Sequence, residues 1–206
     1  MNIETIFDSV EEIEQGIKEI YQYFLEYFYD HAEQKKFWEE IVEGEGCQID
    51  MLDHCKTLMS AVPHPAHETI GRDVNYKELL SIIKKYKKEI TEDLDINRAL
   101  KIAFHLELLE IQGIFNEIVK LPQEPYFNIL SDLHSEIRRN MGRLIEGVER
   151  FSTDQEFLYK VLELKGGIIE KRSGIDRRAG ETEFRNPDRR GPDRRQGRLV
   201  KIICKI

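Results

Sequence analysis

The chain's 206 residues are 40% hydrophobic, 34% charged and 9% aromatic, which suits one globular domain with a buried core and an appendage. No apolar run approaches the roughly 18 residues of a membrane span, and Met1-Asn2-Ile3-Glu4-Thr5 is no basic and apolar leader, so a cytoplasmic location is expected. The net charge of −8 is uneven: residues 171–206 carry twelve Lys or Arg against five acids, +7, which leaves −15 on residues 1–170. Cys47, Cys55 and Cys204 are odd in number and lack Cys-x-x-Cys spacing, so they read as reduced thiols.

In the acidic part the apolar period is helical. Ile6, Val10, Ile13, Ile17, Ile20, Phe24 and Phe28 recur three and four apart and predict one long amphipathic helix ending near His31. Phe37, Ile41, Val42, Ile49, Leu52 and Leu58 predict a second, stopped by Val62-Pro63-His64-Pro65, and the two should pair as an antiparallel hairpin. Residues 76–90, with Leu79, Leu80, Ile82 and Ile83 beside the lysines of 84–88, read as a short helix with a solvated basic face inside a long crossover. Asp95 suits the N-cap of a third long helix carrying Leu100, Ala103, Phe104, Ile111, Ile114, Phe115 and Ile118, stopped before Pro122. A fourth, from about Glu124 to Phe151, buries Ile129, Leu130, Leu133, Ile137, Met141, Leu144 and Val148. A short helix from Thr153 to Leu164 should close at Gly166-Gly167, where two glycines suit a C-cap. Two hairpins joined by a crossover predict an all-α, ferritin-like four-helix bundle over residues 1–165.

Acids interrupt these stripes. Glu14 has Val10, Ile17 and Tyr21 on its own helical face, Glu45 lies among Ile41, Val42, Ile49 and Leu52, and Glu107 lies among Ala103, Phe104, Ile111 and Ile114. Glu110, one turn after Glu107, is placed to join them. Like charges buried together cost several kcal/mol each, so these acids must be protonated, ion-paired or bound to a cation, and a metal is the simplest expectation. Elsewhere, His64 and His67 flank Pro65 as solvated linker histidines, and His105 and His134 read as edge residues.

Three segments carry a family resemblance. The segment 14–24, Glu14 followed by Tyr21-Gln22-Tyr23-Phe24, resembles the first helix of rubrerythrins. Residues 37–48 resemble the second, and 103–110, with carboxylates at Glu107 and Glu110, resemble the third. The resemblance covers about residues 8–150 and implies the ferritin-like fold, with iron or another divalent metal held by glutamates and by Glu-x-x-His pairs. Gln48 stands where the family's first ligand His would be. The fourth helix offers Ile137 and Asn140 in the register that keeps Leu133 and Leu144 buried, and that register is preferred over one with Glu136 and Arg139 inward. Both imidazoles are then missing. The remaining set of Glu14, Glu45, Gln48, Glu107, Glu110 and Asn140 suits Mg, Ca or Mn better than a two-metal oxygen-activating centre. No counterpart of the family's rubredoxin-like cysteine domain is present in the sequence, so peroxidase activity is not expected.

Residues 166–206 read as a flexible basic tail in which Asp-Arg-Arg recurs at 176–178, 188–190 and 193–195. Each Arg pair carries its own Asp and only Phe184 could stack on a base, so nucleic acid is disfavoured. The repeats are similar to linker segments of bacterial signalling proteins, which suggests protein docking. Residues 199–206 alternate at period two, a short strand that would pair with a homodimer mate or a partner's sheet edge. The leading expectation is a non-enzymatic ferritin-like scaffold with a degenerate metal site and a docking tail. The alternative is a metalloprotein that binds or oxidises iron through the remaining carboxylates.

Overall fold

The structure is a computed structural model and describes residues 3–61, 76–90, 93–111 and 127–168. Among these the chain is all-α: α1 (Ile3–Tyr27), α2 (Ala32–Ala61), α3 (Tyr76–Glu89), α4 (Ile96–Glu110), α5 (Phe127–Phe151) and α6 (Gln155–Ile168). No helix among the described residues is long and apolar enough to cross a membrane.

The core follows from the stripes. α1 buries Ile6, Val10, Ile13, Ile17, Ile20 and Phe24, one residue per turn of its inner face, with Phe7 and Tyr21 widening the stripe. α2 buries Phe37, Trp38, Ile41, Leu52 and Cys55, whereas Val42, Ile49 and Leu58 are half-buried and form the edge of the stripe rather than its centre. On α5, Leu133, Ile137, Met141, Leu144, Ile145 and Val148 face inward and Ile129 is half-buried. α4 is buried nearly all round, from Ala99 to Glu110, because it is covered on two further sides: Tyr86 of α3 meets His105 at 2.6 Å, and Phe157 of α6 packs edge-on against Phe104.

Residue pairs give the helix directions. Lys56 of α2 reaches Asp8 and Glu11 of α1 while Trp38 meets Phe24, so α1 and α2 run antiparallel. Phe37 stacks edge-on with Phe151 while Glu45 bonds Asn140, so α2 and α5 also run antiparallel. The Tyr21 hydroxyl reaches Ala103 and Glu107, which brings α4 beside α1. α3 lies along α1, where Lys87 pairs with Glu19 at 2.5 Å, and the lysines at 84, 85, 87 and 88 are exposed as expected.

Caps place α4 and α6. Asp95 is the N-cap of α4 and accepts the Arg98 N–H at 2.9 Å, as its position in the sequence predicts. Asn97 then ties the α5–α6 corner: its Oδ1 accepts from the Ser152 hydroxyl and the Thr153 N–H, each at 2.9 Å. Asp154 caps α6 by accepting the Phe157 N–H, and its carboxyl is held below the usual range chiefly by Lys101 at 2.5 Å.

One expectation is corrected. Gly166 and Gly167 do not end the last helix; α6 runs through both to Ile168. Without a left-handed residue to force a stop, glycine lowers helix propensity by about 1 kcal/mol but does not forbid the helix. The expected positions Ile114, Phe115 and Ile118, the linker histidines His64 and His67, Cys204, the Asp-Arg-Arg repeats and the terminal strand lie outside the described residues.

Candidate metal centre

The middle of the bundle is polar. Glu45, Gln48, Glu107, Glu110 and Asn140 have no exposed surface and Glu14 is 2% exposed. They come from α1 (Glu14), α2 (Glu45, Gln48), α4 (Glu107, Glu110) and α5 (Asn140), so every residue that the sequence picks out is buried. They also meet. The Glu14 carboxyl lies within hydrogen-bonding reach of Glu110 and Glu45, and Glu45 lies within reach of Glu107.

Two carboxyl groups can share such a contact only when one carries a proton, because a carboxylate has no donor. Burial raises all four well out of the ordinary carboxyl range. For Glu14 the charges of Glu45 and Glu107 add to the burial, for Glu45 those of Glu107 and Glu110, and for Glu110 those of Glu14 and Glu107. Glu107 is pushed up by burial to about 7, held back in part by Glu45 and Tyr21.

Genuine N–H and O–H donors are few here. Asn140 Nδ2 donates to Glu45 Oε1 at 2.7 Å, Gln48 Nε2 approaches the same oxygen at 3.5 Å, and the Tyr21 hydroxyl donates to Glu107 Oε1 at 3.2 Å. With the acids taken as carboxylates, Glu14 Oε2, Glu45 Oε2, Gln48 Oε1, Glu107 Oε2 and both oxygens of Glu110 have no donor at all. Buried polar atoms are normally satisfied, so six unsatisfied oxygens in one place are a departure that calls for a physical cause. The groups are spaced for contact with one another. Among the described residues, no three His, Cys, Asp or Glu side chains form a ready-made metal cage.

Asn140 is anchored from behind. Arg143 Nη1 donates to Asn140 Oδ1 at 2.9 Å and reaches Glu136 Oε1 at 3.4 Å, and Arg139 also pairs with Glu136. The register with Ile137 and Asn140 inward is therefore the one adopted. Beside it, Ser135, Arg139 and Glu146 are exposed, but Glu136, of the register not adopted, is still buried beneath the two arginines and Arg143 is half-buried. Glycine makes room for this contact. A Cβ on Gly44 would overlap the Asn140 carboxamide, so only glycine lets α5 approach α2 this closely there.

Tyr21, Glu136 and Arg143 were not singled out by the sequence. Tyr21 had a signal, since it lies seven residues, two helical turns, after Glu14 on the same face. Glu136 entered only through the register not adopted and Arg143 had no signal, because the burial of Glu136 depends on Arg139 and Arg143 folding over it. His105 and His134 are half-buried off the centre, Cys47 is exposed, and Cys55 is buried, with its thiol raised to about 11 by burial. No protein-family model matches the chain, and no curated protein or solved structure matches it.

Proposed function

We propose that this chain is a ferritin-like, rubrerythrin-related protein that binds a hard divalent cation at its bundle centre, without the oxygen-activating chemistry of a two-metal site. One observation carries the reading: with the acids ionised, six buried oxygens, on four carboxyl groups and one carboxamide, have no hydrogen-bond donor. Protons shared between the acids relieve the repulsion in part, and a divalent cation relieves it further by supplying positive charge to carboxylates that protons would otherwise neutralise. The donor set fits Mg, Mn or Ca, since it is oxygen throughout and no imidazole stands at the centre to favour iron or zinc. The pairing of α1 with α2, of α2 with α5 and of α1 with α4 supports the ferritin-like reading of the fold.

The test is thermal unfolding of chelator-treated protein with added Mn²⁺, Mg²⁺, Ca²⁺ or Fe²⁺. A saturating rise in Tm with a hard cation, and no dioxygen consumption with Fe²⁺, is expected. Absence of any cation-dependent rise removes the reading, and catalytic oxygen consumption would favour an iron-oxidising protein instead. The Asp-Arg-Arg repeats support a second element of the proposal, a docking tail. Truncation after Glu170 should leave helical circular dichroism intact and abolish salt-sensitive capture of a protein partner.

A further inference from the structure

The positions open to a cation at the bundle centre are the buried oxygens that accept no hydrogen bond. The unsatisfied six come from α1, α2 and α4, and none comes from α5. What α5 brings to the centre is Asn140, and its orientation is fixed by chemistry. A guanidinium can only donate, so the Asn140 atom that Arg143 meets at 2.9 Å is the carbonyl oxygen. The amide N–H must then point at Glu45 Oε1, 2.7 Å away. Gln48 turns its own N–H toward the same oxygen. An N–H group repels a cation, so the side of Glu45 facing α5 is closed to one.

We infer that the centre takes one divalent cation, and that Asn140, held by Arg143, closes the α5 side of Glu45 to a second one with a hydrogen-bond donor. This rests on the cation binding proposed above and adds its stoichiometry and a positioning role for Asn140. A neutral donor at Glu45 does part of the work that a second positive charge would do, without the ligands that charge would require.

The test is native mass spectrometry of the chelator-treated full-length chain titrated with Mn²⁺. One Mn²⁺ per chain is expected. Two in the wild type overturns the inference and leaves cation binding standing, whereas none overturns the binding itself. Asn140→Asp exchanges the donor for an acceptor at nearly constant shape and should raise the count to two. Gln48→Glu makes the same exchange at the other amide and serves if Asn140→Asp loses its helical circular dichroism. A folded variant of either kind that still takes one Mn²⁺ overturns the role given to the amides. Glu110→Gln should keep its helix content and weaken Mn²⁺ binding at least tenfold. Unchanged binding there would show that the free oxygens of Glu110 are not the cation's seat.

Discussion

Two layers of the same bundle are built on opposite terms. Near the turn between α1 and α2, Trp38 lies against Phe24 and Phe37 with ring centres 4.9 and 4.8 Å away, and Tyr21 follows at 6.0 Å. About two turns along α2, four carboxyl groups and two carboxamides from α1, α2, α4 and α5 lie buried. The first layer removes aromatic surface from water and gains ring-to-ring attraction, so it stabilises the fold. The second desolvates like charges and leaves oxygens without donors, so it opposes the fold unless protons or a cation enter. A bundle needing only stability would carry apolar residues in both layers. The carboxyl layer is therefore where binding is to be sought, and the aromatic layer is what makes it tolerable.

The largest way to break this contrast is Trp38→Ala. Removing a fully buried indole should lower stability by about 3–5 kcal/mol, measured by urea unfolding, while the cation count stays the same in whatever fraction folds. A loss below about 1 kcal/mol would mean that the aromatic layer does not support the bundle.

Changing pH acts on the other layer. The four acids have folded-state pKa values raised by burial, so below about 4.5 folded and unfolded chains are equally protonated and the acids impose no penalty. As pH rises from there, through about 7 for Glu107 and beyond, the unfolded chain gives up protons that the folded chain retains. Stability of the metal-free protein must fall, by about 1.4 kcal/mol per pH unit for each proton retained. Saturating Mn²⁺ should flatten this slope, because a cation replaces the protons. Metal-free protein whose Tm rises between pH 5 and 7.5 would contradict the buried-acid account.

Gly44→Ala is smaller and tests the seam between α2 and α5. In an open helix the change would gain about 1 kcal/mol of propensity. Here the new methyl must displace Asn140, breaking its bonds to both Glu45 and Arg143, at about 1–3 kcal/mol. A net loss is expected, seen as a lower midpoint in urea. A net gain would show that Asn140 can move aside freely and holds nothing.

Much of this was legible in the sequence, for a physical reason. Glu14, Glu45 and Glu107 are each enclosed by apolar neighbours on one helix, and a helix carries its own period, so their burial could be read without knowing what packs on them. The N-cap Asp95 was likewise local. Asn140 could be placed inward from the same period, but its role as donor could not, because Arg143 fixes which end of the amide faces Glu45. Glu136 looked exposed because its neighbours Arg139 and Ser135 are exposed, and only the fold of both arginines over it buries the carboxylate. The end of α6 was misplaced because glycine permits a stop without requiring one.

The smallest expected effect completes the contrast between acids inside and outside. Glu19 is also a glutamate on α1, joined to Lys87 across the α1–α3 groove at 2.5 Å, with half of its side chain exposed. Lys87 lowers its pKa by hydrogen bond and charge, the opposite direction to Glu14 on the same helix. Its contribution to stability is thus present above about 4.5 and lost as pH falls below that, where the buried acids impose no penalty. Water screens an exposed pair, so Lys87→Ala should cost only about 0.2–1 kcal/mol at low salt and nothing measurable at 1 M NaCl. The measurement is a pair of urea titrations at the two salt concentrations. A salt-independent loss above about 1 kcal/mol would mean that the Lys87 stem packs α3 onto α1, where Gly16 leaves space beside Ile83, and that the crossover helix is held by burial rather than charge.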